Sequence, residues 1–201
     1  MINTIVFDMG GVIMDYDPPK FVKDIKELSD EDKEYLVDNI FNHPQWDGQD
    51  RGDYDSEGYL EIVKNRIPKR LHPYAEKLIM GWWKPVYSMP GTGDVIRELK
   101  KKGYKLYLLS NAATNHSEYW SGLDGSECFD GLLVSAFVKK CKPDPEIYQI
   151  FFEKFNLNPK ECIFIDNLEE NIRAGQALGM DGIVFTNAKA LREELVNRGL
   201  L

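Results

Sequence analysis

Cysteine is scarce and unpatterned. Cys128, Cys141 and Cys162 are the only three in 201 residues, and none makes C-x-x-C spacing. They form neither a disulfide framework nor a zinc site, and reduced structural thiols are expected. Long apolar runs are missing too. Nothing approaches the roughly 20 residues that cross a bilayer, the N-terminus has no basic segment, and Asp8 interrupts its apolar stretch early. Neither a membrane span nor a cleaved leader is expected, and a cytoplasmic location follows. Positive charge is in short supply: 25 Lys and Arg against 33 Asp and Glu leave a formal charge of -8, which argues against nucleic acid or an anionic membrane as partner. A small phosphorylated metabolite remains compatible, because a few local groups can meet its charge. Internal repeats and low-complexity tracts are also absent. What is present is globular material: 43% apolar and 12% aromatic residues build a core, and 29% charged residues keep the surface wet. The length suits one domain, or one domain with an insertion, as monomer or homodimer.

The chain is organised around residues 3–17. Ile5-Val6-Phe7 is a short buried-strand signal that ends at Asp8, and Gly10-Gly11 then lets the backbone turn tightly. Asp8 therefore either caps the turn or stands at a strand's C-terminal edge, ready to meet an electrophile. Residues 18–87 read as an all-helical block. Phe21, Val22, Ile25 and Leu28 recur at helical spacing, Ser29 opens a second helix with Asp32 in a capping-box-like position, and further helices follow over 58–65 and 73–84. A polar loop over 43–55 separates them.

From Pro90 the pattern alternates. Strands are predicted over 104–109, 132–135, 162–165 and 182–185, with helices over 92–102, 114–121, 145–155, 169–178 and 188–198. Such alternation predicts an α/β protein: a doubly wound, Rossmann-like parallel sheet covered on both faces. The first strand belongs with that sheet. Residues 1–17 and 88–201 are thus the expected core domain, and 18–87 an inserted helical cap.

Chemistry-bearing residues collect at the predicted strand ends. Ser110-Asn111 either cap the next helix or hold phosphate oxygens. Lys142 stands between Cys141 and Pro143-Asp144-Pro145, where two prolines stiffen its backbone. Asp166-Asn167, with Asn171 following, form with Asp8 a hard-oxygen set suited to Mg²⁺.

Asp-Met-Gly-Gly-Val at 8–12, Leu-Ser-Asn at 109–111, Lys-Pro-Asp-Pro-Glu-Ile-Tyr at 142–148 and Ile-Asp-Asn-x-x-x-Asn at 165–171 resemble the four ordered motifs of the haloacid dehalogenase superfamily. The helical block resembles the cap of its subfamily IA. The resemblance implies Mg²⁺-dependent phosphomonoester hydrolysis through a phosphoaspartyl intermediate on Asp8. Ser110, Asn111 and Lys142 would bind phosphate, and Asp8, the Gly10 carbonyl, Asp166 and Asn167 would hold the metal. Among family members, glucose-1-phosphate phosphatases look most similar.

Two departures stand out. Gly10 occupies the position where most family phosphatases carry an acid/base aspartate, a group of a kind that contributes about 10²–10⁴-fold. Asn167 replaces a second acidic residue. Without a carboxylic acid at position 10, the chain is expected to prefer a less basic leaving oxygen, as in a sugar 1-phosphate, or to draw an acid from the cap. His43, Asp47 and Arg51 are the cap candidates for specificity, while Trp82 and Trp83 are expected in the cap's core. Two further readings stay open: a metal-free 2-haloacid dehalogenase-like hydrolase, and a binding protein with weakened catalysis.

Overall fold

The sheet is built from β1 (Thr4–Phe7), β2 (Lys105–Ser110), β3 (Gly131–Val134), β4 (Cys162–Asp166) and β5 (Asp181–Val184), seen in a computed structural model that describes residues 1–201. Every pairing is parallel and the strand order is β3-β2-β1-β4-β5. The chain steps outward from β1 to β3, then crosses back to β4 on the other side of β1. The order reverses there, so the ends of β1 and β4 flank the crevice where open parallel sheets bind ligands.

Between β1 and β2 run α1 (Pro18–Val22), α2 (Asp30–Ile40), α3 (Asp47–Asp50), α4 (Ser56–Lys64), α5 (His72–Ile79) and α6 (Thr92–Lys101). After β2 come α7 (Ser117–Trp120), α8 (Ser135–Val138), α9 (Pro145–Phe155), α10 (Glu169–Ala177) and α11 (Ala188–Asn197). Strand side chains alternate between two layers. Ile5 and Phe7 pack with Val95, Leu99, Leu191 and Leu195 from α6 and α11. Val6 faces the other way, among Ile147, Phe151 and Ile172 from α9 and α10. Both faces are covered, which is why the strands read as continuous apolar runs.

The helices α1, α2, α4 and α5 gather on a separate apolar cluster in which Leu36, Ile40, Tyr59, Val63 and Ala75 are fully buried. Tyr59 satisfies its hydroxyl by donating to the Ile40 carbonyl at 2.6 Å. Ser29 caps α2 by accepting from the Asp32 N–H, but the Asp32 carboxylate pairs with Arg70 at 2.6 Å instead of completing a capping box. No helix is long and apolar enough to cross a membrane.

Several expected elements differ. The helical spacing over 21–28 holds only to Val22; Ile25 and Leu28 are still buried, but on successive i→i−3 turns. The segment over 43–55 is not a plain loop, since Pro44–Trp46 forms a 3₁₀ turn that leads into α3. The helix predicted to Lys84 ends at Ile79, and Trp82 and Trp83 follow in the turn after Gly81. Trp83 packs in the sheet's core cluster, not in the cap's, and Trp82 touches both. The span 114–121 is a 3₁₀ turn plus the single turn α7. Ser135 does not end a strand; it opens α8.

Candidate active site

Register brings the first two carboxylates together. Phe7 pairs with Ile165 in the β1–β4 ladder, and the Asp8 N–H donates to the Ile165 carbonyl at 2.9 Å, so Asp8 and Asp166 leave adjacent strands side by side. Lys142 Nζ bridges them, 2.8 Å from Asp8 Oδ1 and 2.7 Å from Asp166 Oδ2. All three are buried. Burial alone would lower the Lys142 ammonium, but the Asp8 and Asp166 carboxylates together more than offset it and hold the lysine above its ordinary value. Burial pushes the Asp8 carboxyl upward, with Lys142 opposing and Asp166 reinforcing.

Each member is held from behind. The Asn111 side chain clamps the Lys142 backbone at two points, donating to its carbonyl at 2.9 Å and accepting from its N–H at 2.8 Å. This clamp is a role beyond the phosphate contact expected of Asn111, which also lines the cleft. Asp166 Oδ1 accepts from the Leu168 N–H at 2.8 Å, and Asn171 Nδ2 donates to both Asp166 oxygens. Ser110 is buried at the end of β2; its hydroxyl makes one long contact, 3.4 Å to the Asn111 carbonyl, and it is not among the residues lining the cleft. Gly11 needs to be glycine twice over. Its φ is +78°, and a Cβ there would come within 2.8 Å of Asn167 Nδ2.

A cleft of about 390 Å³ opens over these strand ends. Its floor is Asp8, Gly10, Gly11, Lys142, Asn167 and Asn171; its roof comes from Trp46, Asp47, Gln49 and Asp50 of the helical block. Tyr16, Trp82 and Tyr119 wall one side, with the Trp82 ring 5.3 Å from Tyr16 and 5.5 Å from Tyr119. Of the cap residues singled out from sequence, Asp47 reaches the cleft. His43 and Arg51 do not line it: His43 Nδ1 accepts from the Gln45 N–H to cap the 3₁₀ turn, and Arg51 pairs with Asp53 at 2.9 Å near the surface. Asp15, near the start of the helical block, is 2.6 Å from Lys20 Nζ.

Sequence reasoning missed Tyr16, Gln49 and the cleft-facing position of Trp82. A signal existed for Gln49, because one helical turn from Trp46 puts positions 46, 49 and 50 on neighbouring positions of one face. A loop over 43–55 able to reach the site accounts for Trp46 and Asp50 but gives Gln49 no assigned face. Gln49 Nε2 and the Tyr16 hydroxyl are buried with no hydrogen-bond partner.

The donor set suits a small hard cation. Gly10's carbonyl accepts no hydrogen bond, and Asn171 Oδ1 is buried with no partner beside Asp166. Two carboxylates and one ammonium leave a net negative charge to be neutralised. No group of three His, Cys, Asp or Glu side chains clusters as ligands, so a cation would keep several waters, as Mg²⁺ does.

The model of haloacid dehalogenase-like hydrolases matches residues 2–179. The chain belongs to that family. As a haloacid dehalogenase-like hydrolase it is similar to the sesquiterpene phosphatase astK of Aspergillus oryzae, 28% identical over 94% of this chain and 93% of the relative. It is also similar to a phosphorylated carbohydrates phosphatase of Thermotoga maritima, 27% identical over 96% of this chain and 91% of the relative. A HAD family enzyme of Bacteroides thetaiotaomicron, solved in complex with magnesium and inorganic phosphate, has the same fold, with a TM-score of 0.72, 22% identity and coverage of 93% and 96%. The Rossmann-like hydrolase fold expected from the four motifs is therefore the one found.

Proposed function

We propose that this chain is a Mg²⁺-dependent phosphomonoesterase acting on a small phosphorylated metabolite, a sugar phosphate, with Asp8 as nucleophile. The observation that carries the reading is the Lys142 ammonium shared between Asp8 and Asp166 at the β1/β4 crevice. Residues 18–87 act as a cap that covers the cleft, and Asp47, Gln49 and Trp46 on it meet the organic part of the substrate. The unpartnered Gln49 amide and Tyr16 hydroxyl support a substrate that carries hydroxyl groups. The similarity to a carbohydrate phosphatase agrees with this.

An Asp8 oxygen attacks phosphorus in line with the leaving oxygen. Lys142 offsets charge on the phosphoryl oxygens as the bond to the leaving group lengthens, and the Asn111 clamp fixes the height of its backbone. Asp166 holds Lys142 from the far side and, with Asp8, the Gly10 carbonyl and Asn167, would hold Mg²⁺. When bound, that ion polarises the phosphoryl group and screens it from the Asp8 charge. The Gly10 backbone N–H, which makes no hydrogen bond within the protein, completes the phosphate seat. Among sugar phosphates, the less basic anomeric oxygen of a sugar 1-phosphate asks least of a site whose position 10 is glycine.

A metal-free dehalogenase would need Asp8 to attack carbon beside the fully buried Asp166 carboxylate, which no cation other than Lys142 would then offset. The reading is tested with p-nitrophenyl phosphate, with Mg²⁺ and with chelator, alongside halide release from 2-chloropropionate. Metal-dependent phosphate release that vanishes in Asp8→Asn is expected. Metal-free halide release would replace the reading with a dehalogenase, and silence in both assays with a binding protein.

A further inference from the structure

We propose that Asp50, at the end of α3 in the cap, is the general acid and base that position 10 does not supply. The inference rests on the phosphomonoesterase reading above. Gly10 leaves the expected carboxyl site empty of any side chain, and an added Cβ there would meet only Tyr16 Cβ at 3.9 Å. A proton donor must then come from elsewhere on the cleft wall. Its acidic side chains are Asp8, the nucleophile, and Asp47, Asp50, Tyr16 and Tyr119. Asp47 is exposed and open to water. Burial holds the Tyr16 and Tyr119 phenols well above their ordinary range, so neither releases a proton readily. Asp50 is half-buried in the roof, and its carboxylate makes no hydrogen bond or ion pair with the protein.

Asp50 is also the cap residue that the core holds most directly. Its backbone carbonyl accepts from Ser135 Oγ at 2.5 Å, and the same hydroxyl accepts from the Ala112 N–H at 3.0 Å on the core side of the cleft. Two residues on, Gly52 lies so close to the Ala136 carbonyl that a Cβ would approach it to 2.4 Å. The Asp50 backbone is thus tied to the core, although it belongs to another structural layer, and its carboxyl side chain lines the same cleft as Asp8. Burial first, then the Asp47 and Asp8 charges, push it up to about 7, with Arg51 and Lys142 opposing. A carboxyl in that range carries a proton in neutral solution and can take one back.

The steps balance. Asp8 forms a bond to phosphorus, the bond from phosphorus to the alcohol oxygen breaks, and that oxygen takes the electron pair and the Asp50 proton, leaving as the alcohol. The Asp50 carboxylate then accepts a proton from a water on the vacated side. The water oxygen bonds to phosphorus, the Asp8–phosphorus linkage breaks, and Asp8 leaves as a carboxylate with hydrogen phosphate released. Both steps use one face of the phosphoryl group, so a single cap carboxyl serves both.

The test compares phenyl phosphate, whose leaving oxygen needs a proton, with p-nitrophenyl phosphate, whose leaving oxygen does not, in the wild type and in Asp50→Asn, at saturating Mg²⁺. Expected is a kcat/KM loss of about 10²-fold or more on phenyl phosphate against less than about 10-fold on p-nitrophenyl phosphate. A burst of p-nitrophenol equal to the enzyme should also appear in the variant, because the second step has lost its base. The fall of wild-type kcat/KM for phenyl phosphate above about pH 7 should disappear in the variant. Groups that face Asp50 and shape that limb are Asp47 and Arg51 on its own segment, Asp8, Lys142 and Cys141 from the core, and the Tyr16 and Tyr119 phenols. Glu57→Gln, an exposed cap carboxylate that does not line the cleft, is the control and should keep both activities. Equal losses on the two esters would overturn the assignment while leaving the phosphatase intact. Hydrolysis of neither ester by the wild type would sink the phosphatase reading, and the acid with it.

Discussion

The Lys142 ammonium lies 2.8 Å from Asp8 Oδ1 with only 1% of the lysine side chain exposed, so the proposed nucleophile and its counter-ion are buried together. Lys142→Met removes the charge and keeps most of the volume. Two buried carboxylates then face each other without their cation, and breaking a buried pair in this way costs about 3–5 kcal/mol. Activity toward p-nitrophenyl phosphate should fall at least about 10³-fold, because the variant also loses the charge aimed at the phosphoryl oxygens. Denaturant unfolding and kcat at saturating Mg²⁺ check the two halves separately. A loss under about 10-fold would mean that another cation, such as Arg51, holds the phosphate.

Much of this site is legible in the sequence. Asp8 and Asp166 each end or directly follow an apolar strand run, and parallel pairing puts such strand ends side by side; Lys142, past β3 and α8, reaches them from a loop whose lysine and prolines were visible in the sequence. The cap resisted for a physical reason. Its helices are short, α3 is a single turn, and Gly48 and Gly52 inside the 43–55 stretch read as loop punctuation. Gly48 in fact sits in α3 against the Tyr54 ring, and Gly52 sits against the core backbone. Close approach, not looseness, is the reason for both, and one-dimensional reading cannot tell the two apart. Trp82 misled similarly: an amphipathic pattern ran past Ile79, but the helix ends there with Met80 as its cap, and the turn that follows puts the ring at the cleft.

The Gly52 contact gives a test of how the cap is seated. Gly52→Ala puts a Cβ at φ +70° and 2.4 Å from the Ala136 carbonyl. Left-handed backbone in a residue with a side chain costs about 1–3 kcal/mol, and the clash adds displacement of α3. A lower Tm together with a higher KM and lower kcat is expected, since Gln49 and Asp50 move with that segment. A fall in Tm with unchanged kinetics would show that this contact stabilises the fold without positioning the roof.

Gln49 offers the complementary test of the substrate's polarity. Its amide nitrogen is buried and unpartnered in the roof, so Gln49→Leu removes an unsatisfied group and should leave stability the same or slightly higher. If the amide binds a hydroxyl of a sugar phosphate, kcat/KM for glucose 1-phosphate should fall about 10-fold or more, while p-nitrophenyl phosphate changes little. Equal effects on both esters would argue for a general packing role.

Asp50 should reveal itself in stability as well as in rate. Burial and the neighbouring charges push its carboxyl up to about 7 in the folded chain from an ordinary value of 3.8, so between those two values the folded state holds a proton that the unfolded state has released. Folding stability from this group is therefore fully present below about pH 4 and is lost as pH rises through about 7. Asn at the same position neither titrates nor repels the Asp47 and Asp8 charges. Asp50→Asn should then melt higher than the wild type at pH 8, by a few degrees and on the order of 1–2 kcal/mol after screening by the open cleft. At pH 5 the advantage should be clearly smaller. Thermal melts of the two proteins at both pH values decide it, and a difference independent of pH, or one that grows toward acid, would contradict the burial and charge argument on which the acid/base assignment leans.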